Sequence, residues 1–502
     1  MELAVGEKPL KESERRGIII GVLTAMLLAA LDQTIVAPAL PTIGAKLGNT
    51  EYLSWVVTAY LLTATATTPL YGKLADLRGR RIVILSCLGI FILGSIGCAL
   101  APSLFALIGA RAVQGLGGGG LIALALTIIG DVVAPRERAK YQGYFSGVWA
   151  LSSVAGPGLG GLLAEHLHWS MIFWLNLPLA ALAIVVMDRP LRLLQAKRQQ
   201  HCLDWPGAIL IMATTVIFLL ILTWGGARFA WLSGPIIGLF IALLALGTWL
   251  GFHLQHASEP LLPMDVLRNP IVLAAAGAVF FAMAAFIGTS VYLPVYFEGM
   301  LHLAPSQAGF GLIPLMMGTV LGAAVSGKVS AQITHYKRIA VGGMGLAITS
   351  SFYLAIETGQ LPFAIVAVMV AVAGAGVGTL FPIATVSVQN AVEPANLGIA
   401  TATLTFLRSL GGAIGVAVLG SVLLSHGIAI QSIGHRLSVG VGADPALKSA
   451  FILVFFLAAG FLLAGQICLI VMREKPWRSA RDPSQFRGEK ATRDERVLSQ
   501  DT

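Results

Sequence analysis

Two ionisable side chains interrupt long apolar stretches of this chain. Asp32 lies within the first stretch and Arg111 within the fourth. An ionised carboxylate at the depth of a membrane centre costs about 2.5–3.5 kcal/mol, so Asp32 must be paired, hydrated or protonated, and such a group can carry a proton. Arg111 keeps its charge and can bias the protonation of a nearby acid, for which Asp32 is the best candidate. Alternatively, both are structural: Asp32 fixes helix packing and Arg111 binds backbone carbonyls.

A short, strongly basic segment, residues 72–81, separates the second and third apolar stretches; we refer to it as the basic turn. It holds a single acid, Asp76, among one lysine and three arginines. Gly72 permits two helices to approach closely, and Asp76 can pair with the basic side chains or with a neighbouring helix end. Such a cluster can hold one packing of the helices and release it in another, although a simple topology anchor remains the alternative. The predicted latch residues are Gly72, Asp76, Arg78, Gly79, Arg80 and Arg81.

The elements that position these residues are predicted to be membrane-spanning helices. The chain is 56% hydrophobic and 11% charged, with a mean hydropathy of +0.83, which is far from the composition of soluble domains. Apolar runs of about twenty residues, each long enough to cross a bilayer, recur fourteen times, and only helices satisfy the backbone of such runs in lipid. We therefore predict an all-α integral membrane protein with fourteen transmembrane helices.

The distribution of lysine and arginine predicts the orientation. Most of the 33 basic residues fall in segments that lie on one side if both termini are cytoplasmic, as the positive-inside tendency requires. The net charge of +9 is therefore attributed to the membrane surface and not to nucleic-acid binding. The sequence has no Walker-type phosphate loop, no catalytic triad and no metal-ligand set at credible spacing, so we expect neither an ATPase nor another enzyme, and no metal.

The chain also repeats itself weakly. Glycines at 115, 117 and 119 match those at 374, 376 and 378 at one constant offset, which Gly156 and Gly415 share. Two six-helix halves related in this way leave room for two further spans between them. The predicted divisions are 1–16 (cytoplasmic N-terminus), 17–188 (first six-helix bundle), 189–205 (linker), 206–252 (two inserted spans), 253–270 (linker), 271–472 (second bundle) and 473–502 (disordered cytoplasmic tail).

Four ordered motifs resemble the major facilitator superfamily and, within it, the fourteen-span drug:proton antiporters. The basic turn resembles the superfamily's loop between spans 2 and 3, and Leu31-Asp32-Gln33-Thr34 resembles the span-1 motif of those antiporters. Arg111-Ala-Val-Gln114 resembles the span-4 motif, in which the Arg and Gln line the cavity and take part in proton coupling. Gly147 to Gly161, with a Gly156-Pro157 core, resembles the span-5 antiporter motif that distinguishes exporters from uptake systems.

The resemblance implies specific roles for these residues. Asp32 and Arg111 are the predicted proton-coupling residues, and Gln33, Gln114 and Arg408 are candidates for the substrate cavity. The antiporter-motif residues of span 5 are Gly147, Gly156, Pro157, Gly160 and Gly161. Of these, Gly156 and Pro157 are predicted to lie where span 5 packs against the opposite half of the protein.

The resulting hypothesis is a proton-driven antiporter of the bacterial inner membrane that exports amphipathic or hydrophobic drugs by alternating access, without a cofactor. The alternatives are an exporter of lipids, siderophores or metabolites, and a membrane protein that binds a ligand without transporting it. The expected partners are small amphipathic substrates, protons and the lipid bilayer. We expect a monomer, and a periplasmic adaptor protein is left open.

Overall fold

The structure is a computed structural model. It describes residues 11–49, 52–53, 55–133, 135–193, 203–226, 228–257, 260–262, 264–303, 305–330, 332–333, 335–393, 396–426 and 445–474. The predicted disordered tail beyond residue 474, the first ten residues and the middle of the first linker lie outside these ranges. The described residues are predominantly helical.

The helices fall into two bundles separated by a helical pair. The first bundle comprises α1 (Glu12–Leu47), α2 (Trp55–Arg78), α3 (Arg80–Ala99), α4 (Leu104–Val132), α5 (Pro135–His166), α6 (Met171–Trp174) and α7 (Asn176–Leu191). The pair consists of α8 (Trp205–Trp224) and α9 (Gly234–His256). After the short α10 (Met264–Leu267), the second bundle comprises α11 (Pro270–Leu301), α12 (Pro305–Phe310), α13 (Ile313–Ser330), α14 (Lys337–Ile356), α15 (Phe363–Ala391), α16 (Leu397–Ser425) and α17 (Pro445–Val471).

Helix starts follow local capping chemistry. Ser103 accepts a hydrogen bond from Ala106 N at 3.2 Å before α4, and Asp204 accepts one from Gly207 N at 2.9 Å before α8. Asn269 caps α11 by accepting a hydrogen bond from Ile271 N at 3.0 Å, with Pro270 in the first helical position. These side chains satisfy backbone N–H groups that have no partner within the helix.

The same helix pairs pack together in both bundles. In the first bundle α4 packs on α2 and α3, and α1 packs on α5 and α7. In the second, α15 packs on α13 and α14, and α11 packs on α16 and α17. The two bundles therefore share one packing pattern. Of the inserted pair, α8 packs on α2, whereas α9 packs on α8 and buries fully only Ile236.

Twelve helical stretches of the described chain are long and apolar enough to cross a membrane, compared with the fourteen predicted. The two predicted spans that lie outside this set correspond to α2 and α5, which are 24 and 32 residues long. Both are less apolar because α2 contains several threonines and ends in the basic turn, and α5 begins with Arg136, Glu137 and Arg138. The count of fourteen is therefore not confirmed.

The two halves meet at the end of the molecule that carries the basic turn, which we refer to as the basic end. Here α2 packs against α16, and α5 packs against α13. Gln389 Nε2 of α15 donates a hydrogen bond of 3.1 Å to the carbonyl of Leu126 in α4. Gly143 of α5 faces Ala324 of α13 so closely that a Cβ atom would lie 3.2 Å from the Ala324 Cα. The basic end is therefore closed in this conformation.

Candidate functional site

Asp32 and Arg111 form an ion pair in the centre of the first bundle, at 2.7 Å between Oδ2 and Nη1. The Asp32 Oδ1 atom accepts hydrogen bonds of 2.8 Å from the side-chain amides of both Gln114 and Asn176. Ser95 Oγ accepts from the same two amides, at 2.8 and 3.3 Å. We refer to these five residues as the polar cluster. Helices α1, α3, α4 and α7 each contribute to it, so its geometry depends on the packing of the whole bundle.

Arg111 has partners on all sides. Its Nε donates a hydrogen bond of 3.0 Å to the carbonyl of Val56, and its Nη1 donates a second one, of 2.6 Å, to Gln114 Oε1. Its guanidinium lies 4.4 Å from the centre of the Tyr60 ring and 5.8 Å from that of Phe173, within the range of cation–π attraction. A buried charge is tolerated only when it is paired and hydrogen-bonded, and Arg111 meets both conditions.

The polar cluster is sealed from its surroundings. Asp32 and Gln114 have no exposed surface, and Arg111 and Asn176 are 1% exposed. The pair carries no net charge while Asp32 is ionised. If Asp32 took up a proton, one uncompensated positive charge would remain among apolar helices, which strongly disfavours that packing. The cluster can thus link a protonation event to a change in helix packing.

The sequence reasoning did not identify Ser95 and Asn176 as members of this cluster. Both are polar residues within or beside apolar runs, and this is the sequence feature that could have indicated them. Many serines and asparagines in membrane helices bind only their own backbone, so the pattern does not single these two out without knowledge of which helices are neighbours.

Asp76 of the basic turn joins the two halves. Its Oδ1 accepts a hydrogen bond of 3.0 Å from the backbone N–H of Gly398, and its Oδ2 accepts one of 2.9 Å from that of Ile399. These are first-turn amides of α16, whose helix dipole also favours an anion at this point. Asp76 therefore caps a helix of the opposite half, one of the two partners predicted for it.

The other basic-turn residues hold this arrangement in place. Gly72 is so close to α16 that a Cβ atom would overlap Ala402 Cβ, and Gly79 adopts a positive φ of 90° between α2 and α3. Arg80 pairs with Asp76 and, at 2.8 Å, with Asp131 of α4. The two remaining arginines differ: Arg81 pairs with Asp188 of α7 at 2.6 Å, whereas Arg78 is exposed.

Two glycines of the predicted antiporter motif, Gly156 and Gly160, pack against α1 of their own bundle. A Cβ atom at Gly156 would overlap Thr34, and one at Gly160 would overlap the carbonyl oxygen of Ile35. The prediction that Gly156 faces the opposite half is therefore wrong. The reason is that α5 contacts the other half near its start, around Gly143, and by Gly156 its small-residue face has turned to α1. Cβ atoms at Gly147 and Gly161 would meet open space, and the side chain of Pro157 is not among those described.

This packing predicts the effect of enlarging Gly156. Gly156→Leu is expected to destabilise the protein by about 3 kcal/mol, because its side chain would have to displace Thr34 and the backbone of α1. Gly158→Leu, two residues away in open space, should change little. Thermal unfolding of the purified variants in detergent measures both, and an equally large loss at Gly158 would contradict the packing described here.

The three candidates for a substrate cavity lie in different surroundings. Gln114 is fully buried in the polar cluster, so it does not line an open cavity in this conformation, and Gln33 is half-buried beside it. Arg408 of α16 is half-buried, and its guanidinium lies 4.4 Å from the centre of the Phe381 ring. Within the described residues Arg408 has no hydrogen bond or ion pair, which leaves its charge available to a ligand. Likewise, the described residues contain no group of metal-ligating side chains.

Comparison with known proteins places this chain in a family. The sequence model of the Major Facilitator Superfamily matches residues 22–416. The chain is 34% identical over 422 residues to the multidrug transporter protein MdtP of Bacillus subtilis, covering 82% of this chain and 76% of that protein. It is 32% identical over 416 residues to multidrug resistance protein 3 of the same species, covering 82% and 80%.

A solved structure supports the fold alone. A bacterial homologue of the iron transporter ferroportin, in an outward-facing state, aligns with a TM-score of 0.63 at 12% identity, covering 92% of this chain and 99% of that one. Together with the family match, these similarities confirm the resemblance to the superfamily, whereas membership of the fourteen-span subfamily stays a prediction. The chain belongs to the major facilitator superfamily and is a multi-pass membrane transporter, not an enzyme.

Proposed function

We propose that this protein is a proton-coupled antiporter that exports amphipathic or hydrophobic compounds across the bacterial inner membrane by alternating access. The observation that carries the proposal is the sealed polar cluster, in which Asp32 is the single carboxylate. The names of the relatives support drug export in particular, because two of them are called multidrug transporter or multidrug resistance proteins.

The polar cluster and the basic end act together in the proposed transport cycle. In the present conformation Asp32 is paired with Arg111 and has no exposed surface, so a proton must arrive or leave in another conformation. Protonation breaks the charge balance with Arg111 and favours a packing that hydrates the cluster. Deprotonation restores the pair, and Asp76 then caps α16 and closes the basic end. Substrate and proton are thus bound in different phases of the cycle.

The topology follows the basic residues. In the proposed orientation the basic end is cytoplasmic and both termini lie on that side, so the present conformation is closed to the cytoplasm. Helices α2 and α5 also cross the membrane, which gives fourteen spans: they are long enough, and each packs among helices that meet the length and apolarity expected of spans.

Reconstitution into proteoliposomes tests the function. With an imposed pH gradient, we expect ethidium to move against its own concentration gradient, and an uncoupler that collapses the proton gradient to stop this movement. Empty liposomes provide the control. Ethidium movement that persists after the gradient is collapsed would contradict proton coupling. Binding of ethidium without any movement would favour the non-transporting alternative.

A further inference from the structure

A narrow cavity lies in the core of the second bundle. Its volume is about 20 Å³, and residues of α11, α13, α14, α15 and α17 line it. The lining is predominantly apolar, with Thr289 and Ser351 as its hydroxyl-bearing residues. The cavity belongs neither to the polar cluster nor to the contact between the halves.

The internal repeat shows what this position corresponds to. Gly115 of α4 and Gly374 of α15 are equivalent in the sequence repeat. A Cβ atom on Gly115 would overlap the carbonyl oxygen of Tyr60, and one on Gly374 that of Leu315. The two glycines therefore occupy the same position in the two bundles. Counting along these helices makes Val370 the counterpart of Arg111, and Ala373 the counterpart of Gln114.

A second helix pair aligns in the same way. A Cβ atom on Gly117 would meet the carbonyl of Cys87, and one on its repeat partner Gly376 would overlap that of Gly343, which aligns α3 with α14. The counterparts are therefore Ser95 and Ser351, Arg111 and Val370, and Gln114 and Ala373. All three second-half members line the cavity.

The centres of the two bundles thus differ in chemistry at equivalent positions. In the first bundle an ion pair and two amides fill the space. In the second, alanine, valine and a single serine leave it empty. Ser351 is 7% exposed, and within the described chain neither its hydroxyl nor that of Thr289 has a hydrogen-bond partner. A mostly apolar cavity favours uncharged groups, because a charged group would lose its hydration there, and its two free hydroxyls can hold one polar atom.

We propose that this cavity binds an uncharged, mostly apolar group of the exported compound that carries one hydrogen-bonding atom. The proposal rests on the export function proposed above and assigns different tasks to the two halves: the first bundle holds the titrating charge, and the second holds the apolar part of the substrate. The present volume admits a water-sized group, so a larger group enters when Phe286, a half-buried lining residue, turns aside.

Equilibrium binding tests the proposal without any proton gradient, so the result is independent of whether transport is coupled to protons. The probe is radiolabelled N-phenyl-1-naphthylamine, an uncharged aromatic amine with one N–H group, bound to the purified full chain in a scintillation proximity assay. Ala373→Leu fills the cavity and is expected to raise the Kd at least about tenfold, because an apolar group of the probe loses its site. Ala364→Leu adds the same side chain at an exposed position of α15 and should leave the Kd within about twofold.

A second variant adds no volume and therefore does not depend on tolerance of overpacking. Ser351→Ala should weaken binding by about threefold to tenfold, because the probe N–H loses its acceptor. Unchanged affinity in both Ala373→Leu and Ser351→Ala would overturn the proposal. Native mass spectrometry of wild type and Ala373→Leu supplies the other check. We expect equal numbers of retained phospholipids, and loss of one lipid in Ala373→Leu would show that a lipid chain occupies the cavity instead.

Discussion

Replacing Asp32 with asparagine is expected to abolish uphill efflux, a loss of at least about 100-fold, while downhill exchange of substrate continues. The amide keeps the size of the side chain but does not titrate. Asp32 is the one carboxylate of the polar cluster, and Arg111 keeps its charge throughout. Uphill transport driven by a pH gradient in proteoliposomes, measured beside gradient-free exchange, separates loss of coupling from loss of folding.

The structure adds a cost to this substitution that the sequence did not suggest. In the wild-type protein Asp32 Oδ2 lies 2.7 Å from Arg111 Nη1. An asparagine at this position can still accept hydrogen bonds from Gln114 and Asn176 through Oδ1, but its Nδ2 group then faces Arg111. A buried charge that loses its partner typically costs about 3–5 kcal/mol, so we expect a lowered melting temperature as well. Asp32→Glu retains the charge and should keep partial activity.

The matched control for this experiment is Asp265→Asn, the same chemical change at an exposed position outside the long helices. It should leave coupling and stability unchanged. If Asp32→Asn transported substrate uphill at the wild-type rate, the coupling proton would bind elsewhere in the protein, and the charge balance described for the polar cluster would have no part in the cycle.

The second large effect is expected at the basic end. Asp76→Asn should reduce turnover about tenfold or more with little change in substrate affinity. The carboxylate lies at the rim of the bundle, and its bonds to Gly398 and Ile399 exist only while the two halves are closed there. Losing the charge should shift the conformational equilibrium toward the open basic end by roughly 1–3 kcal/mol. Distances between spin labels on α2 and α16, with substrate binding in detergent, measure both quantities.

Asp131→Asn provides a control within the same ion-pair cluster. Asp131 also binds Arg80, at 2.8 Å, but it belongs to the first half and makes no described hydrogen bond to α16. It should therefore alter the conformational equilibrium much less. Equal shifts for Asp76→Asn and Asp131→Asn would mean that the charge of the basic turn as a whole, and not the cap on α16, holds the closed state.

The sequence predicted which residues belong to the site better than it predicted which residues they contact. Asp32 and Arg111 could be paired because each is an isolated charge in an apolar run, and a buried charge needs a partner. Asp76 could be assigned a helix end or an arginine, since both attract a carboxylate, but the choice of α16 depends on tertiary packing. Asn176 could not be placed, because residues 144 positions apart in the chain meet only once the bundle has formed.

Gly156 shows the limit of pattern reasoning most clearly. A run of small residues predicts close helix contact, which is correct, but it does not specify the partner. Because the helix turns by about 100° per residue, a run of fifteen residues presents small side chains on several faces. The internal repeat was more informative, since it identified equivalent positions whose different residue types then described the two bundle centres.

The cap that Asp76 places on α16 makes the first turn of that helix dependent on the other half of the protein. When the basic end opens, the amides of Gly398 and Ile399 lose their acceptors and become free to exchange their hydrogens with water. Deuterium uptake at these two positions therefore records the fraction of time that the basic end is open. In native membranes, without spin labels or engineered cysteines, the backbone of α16 would thus report opening of the basic end. A substrate or proton gradient that favours one conformation would change the rate of deuterium uptake at Gly398 and Ile399.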